Sequence, residues 1–115
     1  MPINSCLLEA KADRKIIRAD GKELAFITVQ VTDRNGRLVP QSYNQIEFGI
    51  DGPGEIVATD NGDPADMVPF PSHRRKAFNG LALVIVRSNG EETGTITVRA
   101  QSPGLKDARV EIKSR

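Results

Sequence analysis

The chain has 115 residues, enough for one domain with a real core and too few for two. Its 16 Lys and Arg against 15 Asp and Glu leave a formal net charge of +1, which argues against a nucleic-acid partner and gives no attraction toward an anionic membrane. The single cysteine, Cys6, excludes an internal disulfide, and no apolar run is long enough to cross a bilayer.

Period-two alternation broken by turn residues runs through the chain. Residues 7–12 read as a short edge strand, and 15–18 as its continuation after a break at Asp13. Cys6 reads as a small apolar residue beside that strand. Asp20-Gly21 is a turn. Residues 24–33 then set Ala25, Ile27, Val29 and Val31 on one side and Thr28, Gln30 and Thr32 on the other, as a half-buried strand requires. Phe26 falls on the polar side, aimed at an end of the fold or at a partner surface. Asn35-Gly36 supplies a tight turn, and Pro40 blocks ladder pairing.

Ile46, Phe48 and Ile50 alternate with Glu47 and Gly49 in the next strand. Gly52-Pro53-Gly54 turns the chain into a strand at 55–59. Residues 60–76 read as a long irregular stretch holding Pro64, Pro69 and Pro71. Residues 80–87 are apolar on both faces, Leu81, Leu83 and Ile85 on one and Ala82, Val84 and Val86 on the other, which suggests a central strand; either set can face inward. Asn89-Gly90 turns into 94–100, with Ile96, Val98 and Ala100 on one side. Ser102-Pro103-Gly104 turns into 105–113, with Ala108, Val110 and Ile112 inward.

About seven short strands with turn signals at this spacing predict an all-β fold, an immunoglobulin-like antiparallel sandwich. The expected core is Ile27, Val29, Val31, Ile46, Phe48, Ile50, Ile96, Val98, Val110 and Ile112, with Leu83 and Ile85 or their alternates. Residues 1–6 read as a tail or linker, 7–113 as the domain and 114–115 as a short tail.

Several stretches together resemble a known family. They are residues 19–33, the Asn-Gly-Arg-Leu-Val-Pro run at 35–40, Gly-Pro-Gly-Glu-Ile at 52–56, Asn-Gly-Asp-Pro at 61–64, and Phe-Asn-Gly-Leu-Ala at 78–82 with the strand after it. Gly-Thr-Ile-Thr-Val at 94–98 and Ser-Pro-Gly-Leu at 102–105 complete the set. The chain resembles the C-terminal immunoglobulin-like domain of bacterial family-2 glycoside hydrolases, the β-galactosidase group, over nearly all its length. It is also similar to invasin-type bacterial immunoglobulin-like modules. The hydrolase resemblance implies a parent enzyme several times longer, periplasmic or secreted, whose catalytic barrel carries two glutamates. No position here matches the family's catalytic motifs, so the resemblance assigns this chain no catalytic residue and no cofactor. It implies an accessory domain whose partners are the other domains of the parent glycosidase. The alternative is an independent binding or adhesion module for polysaccharide or a cell-surface partner, since a sandwich hosts both roles.

The candidate sites are few. Retaining glycoside hydrolysis needs two carboxylates about 5 Å apart, and no such cleft pattern appears; Glu91-Glu92 reads as a solvated turn. Asp60, Asp63 and Asp66 offer oxygens at a spacing of three, but the spacing is not the helix-loop-helix calcium signature, and turn chemistry or an interdomain contact is the reading. His73 has no second histidine or cysteine to share a metal with. A carbohydrate contact would need an aromatic platform from Phe26, Tyr43, Phe70 or Phe78. The long stretch at 60–76 combines apolar Met67, Val68 and Phe70 with the basic His73, Arg74, Arg75 and Lys76. Apolar anchors rimmed by charge suit a docking surface, and Asp60, Asn61, Asp63, Met67, Val68, Phe70, His73, Arg74 and Arg75 are assigned to one facing another domain. The competing expectation is that Met67, Val68 and Phe70 fold back and plug one end of the sandwich.

Overall fold

The computed structural model describes residues 7–33, 35–39, 44–63 and 73–115. Cys6, Pro40, Tyr43, Asp66, Met67, Val68 and Phe70 lie outside the described residues, as does the 1–6 segment. Among the described residues the alternating segments become nine strands: β1 Leu7–Ala12, β2 Ile16–Ile17, β3 Leu24–Thr32, β4 Gln45–Asp51, β5 Gly54–Asp60, β6 Arg74–Lys76, β7 Leu81–Ser88, β8 Gly94–Gln101 and β9 Ala108–Ser114. They form two sheets, one ordered β1-β3-β7-β5 and the other β2-β9-β8-β4-β6. All pairings are antiparallel except β2 with β9. This is the expected immunoglobulin-like sandwich, with two strands more than the turn signals announce.

The core lies between the sheets. Ala25, Ile27, Val29 and Val31 of β3 and Ala82, Val84 and Val86 of β7 face Ile46 and Phe48 of β4, Ile96, Val98 and Ala100 of β8, and Ile112 of β9, all buried. The two-faced strand β7 therefore turns its smaller set inward and leaves Leu81, Leu83 and Ile85 half-buried on the outer face. Ile50 and Val110 pack on the core while only partly buried.

Both added strands correct the sequence reading. Residues 15–18 do not continue β1. Asp13 ends that strand: its amide donates to Phe26 O at 3.0 Å and its carboxylate accepts from Phe26 N at 2.9 Å. The chain then crosses to the other sheet, where β2 runs parallel to the end of β9 and buries Ile17. The irregular stretch expected at 60–76 is also shorter than supposed, because β5 extends to Asp60 and β6 begins at Arg74. At the other end Ser114, assigned to a tail, closes β9; it is buried, and its hydroxyl donates to Glu92 O at 2.9 Å.

Two turns explain the topology. Asp33 closes the Asn35-Gly36 turn by accepting from Asn35 N and Arg37 N at 2.9 and 3.0 Å through one carboxylate oxygen, while Gly36 takes φ +77°. At 52–54 the chain leaves one sheet for the other. Gly52 has φ +90°, and a Cβ there would meet Thr95 O at 2.2 Å. A Cβ on Gly54 would meet the Ile96 side chain at 2.8 Å. The crossing lies so close to β8 that a Cβ at Gly52 would strike its backbone and one at Gly54 would have to displace the Ile96 side chain.

The fold makes one residue type behave in two ways. Phe48 is 4% exposed in the core and Phe26 39% exposed on an outer face. We expect Phe48→Ala to lower the unfolding free energy by about 3–5 kcal/mol and Phe26→Ala by less than about 1 kcal/mol, read by urea denaturation of the 115-residue chain. Gly54→Ala, which overpacks Ile96, should lose roughly 1–3 kcal/mol; equal losses at Phe26 and Phe48 would contradict the assignment of faces.

Candidate functional site

The docking segment inferred from the sequence is built, where it is described, from turn chemistry. Asp60 accepts from the amides of Asn61 and Gly62 at 2.8 and 3.2 Å. Asn61 Oδ1 accepts from Asp63 N at 2.9 Å, and its Nδ2 donates to Lys76 O at 2.8 Å. Asp60, Asn61 and Asp63 thus shape the end of β5 and tie it to β6, as short polar side chains do in turns. Among the described residues no three His, Cys, Asp or Glu side chains gather as a metal site needs.

The basic cluster is split by strand geometry. In β6 successive side chains point to opposite faces, so Arg74 and Lys76 are exposed while Arg75 enters the sandwich at 1% exposure. Its Nη2 donates to Thr59 O at 2.8 Å and its Nε to Thr59 Oγ1 at 3.3 Å. Thr59 belongs to β5, in the opposite sheet. Arg75 is therefore a link between sheets, and the sequence assignment of its side chain to an outward docking surface is corrected on that ground. Arg74 Nε lies 3.7 Å from Glu47 Oε2, its cross-strand neighbour, and His73 is exposed, its carbonyl accepting from Phe48 N.

The two outer faces differ in character. Cross-strand partners share a face, so the registers place Glu47, Asp51, Thr97, Arg99, Gln101, Arg109, Glu111 and Lys113 together on the outside of the five-stranded sheet. Arg99 Nη2 reaches Asp51 Oδ2 at 3.2 Å and its guanidinium lies over Gly49, where a Cβ would come within 3.2 Å of it. That face is a solvated lattice of mixed charge. On the four-stranded sheet Phe26 pairs with Ile85, Thr28 with Leu83 and Gln30 with Leu81, while Ala58 also pairs with Ile85. Glu9 and Lys11 flank the patch beside Gln30 and Thr28. Asp60, opposite Leu83, and the Glu55–Arg87 ion pair flank it on the other side. A groove lined by Glu9, Lys11, Asp13, Phe26, Thr28 and Gln30 runs along its β1 edge.

Sequence reasoning noticed both parts of this face, Phe26 on the polar side of its strand and the second apolar row of β7, without joining them. Their register, which pairs Phe26 with Ile85, is what makes one surface of the two.

Comparison with known proteins points one way. The chain matches the family described as glycoside hydrolase family 2 C-terminal domain 5 over residues 8–111. It is 41% identical over 102 residues to beta-galactosidase BoGH2A of Bacteroides ovatus, covering 89% of this chain and 12% of that protein. It is 35% identical over 100 residues to a beta-glucuronidase of Formosa agariphila, covering 84% of this chain and 10% of that protein. Among solved structures it is similar to a glycosyl hydrolase family 2 member from Bacteroides cellulosilyticus, with a TM-score of 0.91 and 31% identity, over 95% of this chain and 14% of that one. The chain therefore spans between 10% and 14% of the length of these relatives.

The split of the basic cluster is open to direct test. A hydrogen bond to a charged group contributes about 1.5–3 kcal/mol, so Arg75→Met should lower stability by at least that amount in urea denaturation. Arg74→Met, at the surface, should change it by no more than about 0.5 kcal/mol. Equal effects would show that Arg75 is not the inward link.

Proposed function

The chain belongs to the glycoside hydrolase family 2 C-terminal domain 5 family, and on that footing we propose that it is a non-catalytic accessory domain of a longer β-galactosidase-like glycosidase, packing on and supporting the catalytic region. The observation that carries the reading is the pairing of a family match over residues 8–111 with coverage of only 10–14% of the relatives' chains. A domain that recurs as a small fraction of longer glycosidases has its role within them. The parent reaction under this reading is hydrolysis of a terminal β-linked sugar, of which β-galactoside and β-glucuronide are the classes named for the relatives.

The described residues fit that role. Asp60, Asn61 and Asp63 are engaged in local turns, Glu55 and Asp51 pair with arginines, and the inward-facing surface is a packed core. An independent polysaccharide module finds less support, because Phe26 is the exposed aromatic ring among the described residues and its neighbours on β7 are aliphatic.

The test has two arms. The 115-residue chain should release no nitrophenol above buffer from nitrophenyl β-galactoside or β-glucuronide, while the product of the complete reading frame that encodes it should hydrolyse one of them. Turnover by the short chain that survives purification and disappears on replacing one of its acidic residues would overturn the proposal. So would a complete reading frame with no glycosidase domain.

A further inference from the structure

We infer that the outer face of the four-stranded sheet is the surface on which this domain docks against a preceding domain of the same polypeptide; the inference rests on the accessory-domain reading and gives it a location. An outer sheet face left to water carries alternating polar residues, as the five-stranded sheet does with Arg99, Arg109, Glu111 and Lys113. The other sheet instead sets Phe26, Leu81, Leu83 and Ile85 side by side on its two central strands. Phe26 is 39% exposed. Glu9, Lys11, Asp60 and the Glu55–Arg87 pair surround them. An apolar centre with a polar rim of both signs is the anatomy of a protein interface.

The occupant follows from chemistry and connectivity. The rim carries both signs, which offers nothing to a phosphate or polyanion. Aliphatic Leu and Ile knobs beside one phenyl ring do not make the flat platform a sugar ring stacks on. The family stands by its description at the C-terminal end of its proteins, and 86–90% of the length of these relatives lies outside the part that this domain matches. Polypeptide that precedes the domain arrives at β1, the edge strand of this same sheet, where Leu7 pairs with Thr32. With strands about 4.8 Å apart, β7 lies only about 10 Å from that strand. The preceding chain is therefore delivered beside this apolar-centred face, over which none of the described strands lies.

The experiment is hydroxyl-radical footprinting of the full-length polypeptide, which reads side chains rather than backbone amides. Rates are corrected for intrinsic reactivity and compared within one molecule. Docking predicts that Phe26 is labelled as slowly as Phe48 of the core and that Leu83 and Ile85 are slowed with it. Ile16, which is 50% exposed on β2 of the other sheet, should keep a fast rate. In a second arm Phe26→Asp should restore fast labelling at Ile85, and Glu111→Lys on the opposite face should not. Fast labelling of Phe26 in the wild-type full-length protein overturns the inference. So does slow labelling that appears only at high protein concentration, which would mean a second copy, or only with added oligosaccharide, which would mean a sugar site. If the full-length protein is a glycosidase and Phe26 stays open, the choice of face fails and the accessory-domain reading stands; if it contains no glycosidase, that reading itself fails.

Discussion

A guanidinium group bridging two sheets holds the open side of this sandwich. β5 and β6 follow one another in the chain yet are edge strands of opposite sheets. β6 pairs with β4 through only three residues, too few for ladder hydrogen bonds alone to fix it. Arg75 supplies the remaining grip by reaching the backbone and hydroxyl of Thr59. Both residues are buried, so these bonds form away from competing water, where charge-assisted donors are strongest. Once Arg75 points inward, alternation turns Arg74 and Lys76 outward, and Asn61 can lock β5 to the Lys76 carbonyl. The polar residues at this edge are ordered by that single inward turn.

The sequence discloses most of the fold because most of it is written in a two-residue period. Ile27, Val29, Val31, Ile46, Phe48, Ile96, Val98 and Ile112 alternate with polar residues and are all buried. Where the period fails to discriminate, the reading stops. β7 is apolar on both faces, and only packing decides that Ala82, Val84 and Val86 fit the narrower space inside. β2 has two residues, too short for any period to register. Within Arg74-Arg75-Lys76 the side chains are chemically alike, so nothing local marks the middle one as the residue that Thr59 will accept. The candidate surface was half visible for the same reason: Phe26 and the second row of β7 can be read separately, but their adjacency is a fact of register between strands far apart in sequence.

The contrast between the outer faces connects fold to family. One face carries an interspersed set of charges, and the other sets Phe26 and the half-buried Leu81, Leu83 and Ile85 beside Thr28 and Gln30. The relatives match this domain over only a tenth to a seventh of their length.

The switch of the first strand between sheets bears on how the molecule folds. β1 settles on β3, but β2 has no place until β9 exists: Lys15 O accepts from Lys113 N, Ile17 O from Arg115 N, and Arg115 O from Ala19 N, at 2.8, 3.0 and 2.7 Å. These contacts join residues nearly the whole chain apart, the kind of closure whose entropy slows folding and delays the contacts to the last stage. The beginning of the domain is thus fastened by its end. A chain emerging from synthesis holds β2 without its partner strand until β9 is available.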